Sequence, residues 1–490
     1  MIIGSHLNQT NNRIKWAEDS IVIFIFSMLT ILPFIEAISR TINFNSIPAS
    51  QILVQHLTLW IGLLGAVLAT RRNQLLALTR DPIFKRETKI HFGTFIAKGT
   101  TFLVLSSLAW GSWKLVLIEM QYPVDIAPNI PRWFAQIIMP VGFSLMGIQV
   151  FLSSYYNWYH CFTLIILGLI IILFSNVEAI LNVIPVVPLG ILVILFALFN
   201  GAPIFVGLGG LAILFFWADF TPISAIPSEA YRIVVSPTLP TIPLFTLAGY
   251  LLAESKASER LVKVFQVLFG WIPGGTPVLV VLLCGFFTAL TGGSGVTILA
   301  LGGLLLPMLL KDGYSRSFSL GLITVSGSVG LLFPPSLPLI IYGVTAGVSI
   351  KSVFIGGIVP GLLLSSMIGS WAIYQGKKNK IKLNRFVLTD AIKVSLKTKW
   401  ELLLPFLIIF GVFGGYTTLV ETAAITVLYI FIIEVYLYKD IKINQIPKII
   451  LDCATLIGGV IIILGIAMGL TSYLIDAQVP MIILTWAKNA

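Results

Sequence analysis

Apolar runs long enough to cross a bilayer recur along the whole chain, separated by short polar and basic stretches. A helix needs ~20 such residues to traverse the hydrocarbon. That length predicts spans near residues 21–38, 51–70, 94–118, 134–151 and 163–174. From Ile184 the pattern changes to long apolar stretches punctuated by Gly and Pro, and the spans become harder to delimit. The runs lack strand-like alternation, so they predict a polytopic helical bundle and not a barrel.

Two of the apolar stretches carry helix breakers. The first, TALTGGSGVTILALGG from Thr288, centres on Thr291-Gly292-Gly293-Ser294-Gly295. In hydrocarbon, irregular backbone survives only where it is buried in protein or lines a wet cavity. The stretch therefore predicts the tip of a re-entrant hairpin, residues 276–310, with arms near 277–290 and 296–310. Ser294, Thr291 and unpaired carbonyls there offer oxygen ligands to a small hard cation. The second stretch, SGSVGLLFPPSLPLIIYG from Ser326, predicts a helix broken within residues 318–343. Pro334 and Pro335 donate no hydrogen bond, and the ring of Pro334 blocks continuation of the preceding turn. Carbonyls from Gly330 to Phe333 are expected to lose their partners and attract a cation, while the helix start near Ser336 attracts a carboxylate. Hydroxyls of Ser326, Ser328 and Ser336 are the candidate solute contacts. A single kink of this kind is usually structural; two clustered breaks with hydroxyls favour a site.

A repeat emerges when the stretch from Pro188 is laid on that from Pro405. Phe199-Asn200-Gly201 falls on Phe413-Gly414-Gly415, an offset of 214 residues (413 − 199). The two helix pairs are expected to run in opposite senses, an inverted repeat of the kind secondary transporters use.

Composition agrees with the pattern: 57% of residues are hydrophobic and 10% charged, far from the balance of a soluble domain. The net charge of +11 reads as membrane anchoring and not as nucleic-acid binding. Basic residues gather at 71–89 (Arg71, Arg72, Arg80, Lys85, Arg86, Lys89) and between Lys377 and Lys399, loops expected to be cytoplasmic, which puts the N-terminus inside as well. No cleavable signal is evident in the first apolar run. Cys161, Cys284 and Cys453 lie in or beside apolar runs without paired spacing, and His6, His56, His91 and His160 are scattered. Neither a disulfide framework nor a zinc site is expected. Glu421 is expected to cap a helix start beside Gly414-Gly415, and Glu36 to reach the interface at a span end. Asp125 and Arg132 are expected on an outer loop, either solvated surface, the favoured reading, or a docking patch for an external partner. An enzyme would need a nucleophile, an acid/base pair or a metal cluster near the breaks, and Cys284 without a neighbouring His supplies none.

The segments PTLPTIPLFTLAGYLLAES, FGWIPGG, FFTALTGGSGVTILALGGLLLPMLLKDGYSRSFSLGLI, GLLFPPSLPLIIYGVTAGVS and GIVPGLLL resemble the large membrane subunit (DctM type) of the TRAP, or tripartite ATP-independent periplasmic, transporters. Residues 1–160, with LWIGLLGAVLATRRNQLLALT and IPRWFAQIIMPVGFSLMG, resemble more loosely their small four-helix subunit (DctQ type). The resemblance implies a fused chain: a DctQ-like domain at 1–160, a connecting helix and linker at 161–183, a first DctM-like repeat at 184–375, a basic loop at 376–399 and an incomplete second repeat at 400–490. It implies an elevator-type transporter in the bacterial inner membrane, driven by Na⁺ and importing a carboxylate-bearing solute (a C4-dicarboxylate, a sialic acid or another sugar acid) delivered by a DctP-type periplasmic binding protein. By the same resemblance the first Na⁺ site comprises Gly292, Gly293, Ser294 and Gly295 with Gly330, Phe333 and Pro335. The family also carries a second hairpin. At the 214 offset residue 490 corresponds to residue 276, where that hairpin is expected to begin: the rest is encoded on a separate C-terminal fragment, or the product is a truncated, non-transporting scaffold, or the sequence is incomplete.

Overall fold

A computed structural model describes residues 2–42, 47–79, 87–153, 186–378 and 386–489. The expected span at 163–174, the connecting helix at 161–183, and Cys161 and His160 lie outside the described residues, as do Arg80, Lys85 and Arg86 of the first basic loop. For His6, His91 and Lys89 only the backbone is described.

The described chain is almost entirely helical. In order come α1 (Ile2–Thr41), α2 (Ser50–Arg71), α3 (Glu87–Gln121), a small hairpin of β1 (Asp125–Ala127) and β2 (Ile130–Pro131), α4 (Arg132–Gln136), α5 (Ile138–Ser153), α6 (Val186–Phe199), α7 (Ile204–Ala218) and α8 (Ala225–Val234). There follow α9 (Thr241–Glu254), α10 (Ala257–Phe269), α11 (Gly275–Thr291), α12 (Ser294–Lys311), α13 (Arg316–Val329), α14 (Leu337–Ala346) and α15 (Ile350–Lys378). The last are α16 (Leu388–Lys397), α17 (Lys399–Gly414), α18 (Leu419–Phe431), α19 (Ile446–Asp476) and α20 (Val479–Asn489). Among the described residues eight helices are long and apolar enough to cross a membrane, or nine if α13 and α14 form one bent span. The protein is an all-α polytopic membrane protein.

The chain divides into two compact units, and neither is continuous in sequence. The first comprises Met1–Phe26, Gln51–Ser236 and Ala454–Ala490. Within it α3 packs on α5, α6, α7 and α8. Arg71 at the end of α2 pairs with Glu18 at 2.6 Å and Asp19 at 2.5 Å, tying α2 to the start of the α1 apolar run. Small residues bring α2 against the first half of α19. A Cβ on Gly65 would strike the Ala454 carbonyl, and one on Gly458 would strike the Gly65 and Ala66 backbone. Such close approach is how helices associate in lipid, where apolar surface alone gives no drive.

The second unit comprises Ser27–Ser50 and Pro237–Cys453. Its centre is α11, which is buried along most of its length and packs on α9, α10, α12, α13 and α15. Uniform apolarity is what a helix enclosed on all sides requires. At α18 the Thr418 side chain accepts from the Glu421 N–H and Glu421 reaches back to the Thr418 N–H, so Glu421 caps the helix as expected.

Both aligned turns place a glycine at positive φ. Gly201, between α6 and α7, has φ +94°, and Gly415, between α17 and α18, has φ +77°. The left-handed region is where glycine alone is cheap, so the 214-residue offset superposes positions with the same backbone demand.

Candidate functional site

The expected hairpin is formed by α11 and α12 with only two residues between them. Gly292, at φ +68°, turns the chain and its N–H closes on the Thr288 carbonyl at 2.9 Å; Gly293 is extended. Beneath the tip, three fully buried threonines interlock. Thr288 Oγ1 donates to Thr297 Oγ1 at 2.8 Å, and the Thr291 and Thr297 hydroxyls meet at 3.0 Å. The Thr291 hydroxyl, expected as a free ligand, is thus engaged inside the hairpin. Ser294 and Gly293 are half-buried and Gly295 is exposed.

The expected broken helix is α13, a 3₁₀ turn at Gly330–Leu332, the cis Pro334-Pro335 pair and α14, bent by 41° across the break. Three of the four carbonyls from Gly330 to Phe333 are not left free. Gly330 accepts from the Phe333 N–H at 3.1 Å and Phe333 from the Ser336 N–H at 3.0 Å, while Leu331 accepts from Ser336 Oγ at 2.6 Å. The prolines do remove helical donors, but the tight turn and the Ser336 hydroxyl replace them, as burial away from water requires.

Tip and break lie against each other. A Cβ on Gly292 would come within 2.5 Å of Leu337 Cβ, and one on Gly330 would meet Thr288 Cβ at 2.6 Å and the Ala289 nitrogen at 2.8 Å. A Cβ on Gly327 would lie 3.5 Å from Ser294 Cβ. From the other side α9 closes on the tip, since a Cβ on Gly249 would sit 2.7 Å from the Thr291 backbone. Two helices therefore end here, α11 and α13, and two begin here, α12 and α14. Helix C-termini present partly negative carbonyls and N-termini partly positive N–H groups. The place offers oxygen to a cation and N–H groups with hydroxyls to an oxyanion.

The three serines separate. Ser326 is fully buried, and its hydroxyl has no hydrogen-bond partner among the described residues. Ser336 is fully buried and donates to Leu331. Ser328 is exposed, because two residues along a helix turn a side chain by ~200°. The structure does not bring Ser328 to the face that Ser326 occupies.

Other candidates are structural. Glu421 Oε2 pairs with Arg40 at 2.5 Å beside its capping bonds. Glu36 does not simply reach outward: it accepts from Ser50 Oγ at 3.0 Å and the Ile47 N–H at 3.3 Å, holding the α1–α2 turn. Asp125 is exposed, and Arg132 pairs with Glu119 at 3.1 Å. His56 is buried between the Ile52 carbonyl, 2.7 Å from Nδ1, and the Tyr231 hydroxyl, 2.8 Å from Nε2. Cys284 and Cys453 are buried free thiols.

The sequence reading missed the largest ionic cluster among the described residues. Arg260 of α10 binds Glu401, Glu434 and Asp440, the Glu434 contact being 2.9 Å, and its guanidinium lies 4.0 Å over the Tyr438 ring. Burial opposes the charge on Arg260, but the hydrogen bond to Asp440 and the charges of Glu434 and Glu401 outweigh it, and its pKa rises. Each partner lies more than a hundred residues from Arg260, so no local pattern could announce the cluster.

Comparison with known proteins now decides the family. Residues 189–490 match the model of the tripartite ATP-independent periplasmic transporter DctM component, and residues 29–159 that of the DctQ component. The chain belongs to the TRAP transporter permeases. Both components are joined in it, and they are joined also in a relative, the isethionate TRAP transporter permease protein DctMQ of Oleidesulfovibrio alaskensis. That protein is 28% identical over 438 residues, covering 87% of this chain and 68% of the relative. The C4-dicarboxylate TRAP transporter large permease protein DctM of Vibrio cholerae is 32% identical over 49% of this chain and 54% of its own length. The ectoine TRAP transporter large permease protein TeaC of Halomonas elongata is 34% identical over 50% of this chain and 58% of its own length. The chain thus spans between 54% and 68% of these relatives. The hairpin and the broken helix both lie within the DctM match.

Proposed function

We propose that this TRAP permease imports a small carboxylate-bearing solute by coupling it to Na⁺, with a periplasmic binding protein delivering the solute. The observation that carries the reading is the packing of the Gly292 tip against Leu337 at the double-proline break, with the unpartnered Ser326 hydroxyl on the helix that leads into the break. Gly292, Gly293, Ser294, Gly295, Gly330, Phe333 and Pro335 would supply Na⁺ with backbone and hydroxyl oxygens. Carbonyls already accepting one hydrogen bond keep a second lone pair for the ion. Ser326 and the N–H groups after Ser336 would hold the carboxylate. The sidedness follows from the basic loops: N-terminus and lysine-rich segment in the cytoplasm, and the chain in the inner membrane.

A sulfonate is the second reading. It is favoured by the isethionate relative, whose similarity covers 87% of this chain. Carboxylate and sulfonate are both oxyanions that the same N–H groups can receive.

The test is uptake into proteoliposomes holding the purified chain, with labelled C4-dicarboxylate, sialic acid or isethionate, with and without an inward Na⁺ gradient and a cognate binding protein. Accumulation of one solute that collapses when K⁺ replaces Na⁺ supports the proposal. Gradient-independent uptake removes the coupling, and no uptake of any solute favours the non-transporting scaffold.

A further inference from the structure

Beyond the transport site, α16 bears a feature that its place between two apolar helices makes informative. Leu388, Ile392 and Leu396, spaced by four, form a stripe on one side of this helix and are 62%, 52% and 63% exposed. Ala391 on the adjoining side is buried, and α16 packs on α10. The stripe borders a groove of about 520 Å³ whose walls include Leu268, Phe386, Leu403 and Phe406. In water such a stripe would be a liability, and an amphipathic helix of this kind normally lies in a membrane interface.

Charge identifies what covers it. Lys393 and Lys397 each follow a stripe residue by one position, ~100° around the helix, and both are exposed. Lys399 lines the groove itself, with its ammonium 4.9 Å over the Trp400 ring. The exposed acid of α16, Asp390, lies ~200° from Ile392, off the stripe but on the lysine flank, ~60° from Lys393 and ~20° from Lys397. Lysine stems can lie along apolar surface while their ammonium groups reach a phosphate.

We propose that the groove between α16 and α17 is a binding site for an anionic phospholipid, with one acyl chain against Ile392, Leu396 and Phe406 and the headgroup phosphate on Lys399 at the groove wall, while Lys393 and Lys397 add positive charge on the flank of α16 beyond the stripe. The site stands apart from the hairpin and the broken helix, and its test does not depend on transport.

The detergent-purified full chain is titrated with phosphatidylglycerol or phosphatidylcholine of equal chain length, and bound lipid is counted by native mass spectrometry. Phosphatidylglycerol is expected to be retained preferentially. The triple variant Lys393→Gln, Lys397→Gln, Lys399→Gln should weaken that retention by on the order of 100-fold, since each basic residue near an anionic surface contributes about a factor of five. The corresponding triple Lys→Arg variant should keep it. Equal retention of the two lipids overturns the proposal. So does retention unchanged in the Gln variant, or lost equally in the Gln and Arg variants. All three lysines are exposed, so neither variant removes a buried contact.

Discussion

Replacing Gly292 with alanine tests the contact on which the site is built. The residue sits at φ +68°, where an L side chain costs about 1–2 kcal/mol. The added Cβ would also lie 2.5 Å from Leu337 Cβ, a backbone-fixed atom that cannot swing away. Forced overpacking of a tight contact costs about 1–3 kcal/mol. Together these predict a loss of about 2–5 kcal/mol at the tip. Gly295→Ala is the internal control: three residues away, it has an ordinary φ and nothing within 4 Å of its Cβ position. Thermal unfolding of the detergent-purified chain, followed by intrinsic fluorescence, should show a clear drop in midpoint for Gly292→Ala and almost none for Gly295→Ala. Na⁺-dependent uptake should fall for Gly292→Ala. Equal midpoints for the two variants would refute the packing of tip on break, and with it the argument that the two form one site.

Further predictions follow from other contacts. Arg260→Ala leaves two carboxylates that are each 1% exposed without their cation and should cost about 3–5 kcal/mol in unfolding measurements. Arg260→Lys should fall between, because one ammonium cannot serve three separate carboxylates as the guanidinium fork does. Thr418→Ala removes the α18 cap and should cost about 0.5–2 kcal/mol by the same measurement. Ser326→Ala deletes a hydroxyl that bonds nothing among the described residues, so it should raise the KM for solute without lowering the unfolding midpoint, whereas Ser328→Ala should change neither.

Much of the architecture could be read before any coordinates. Span positions follow from run length, and the hairpin and the break announce themselves through glycine and proline, whose effects are local. The capping role of Glu421 was legible for the same reason: Thr418 and Glu421 lie three apart. What could not be read is long-range or three-dimensional. Arg260 meets partners more than a hundred residues away. The carbonyls at Gly330, Leu331 and Phe333 recover donors through a turn whose shape the sequence does not state, and Ser328 is turned from Ser326 by helix phase alone. The mutual approach of tip and break is likewise a product of packing, although the glycines at 249, 292 and 330 mark where that packing is tight.

The glycine seam between α2 and α19 bears on why the two parts can share one polypeptide. Gly65 belongs to the DctQ-matched portion and Gly458 to the DctM-matched portion, and their backbones touch with no side chain between them. Partners that fit so closely do not need a covalent tether to find one another. Expressed as two polypeptides divided within 154–185, they should still purify together, and Gly458→Leu should part them. Fusion then adds little to affinity. It fixes stoichiometry, one small portion made for every large one, by translation alone.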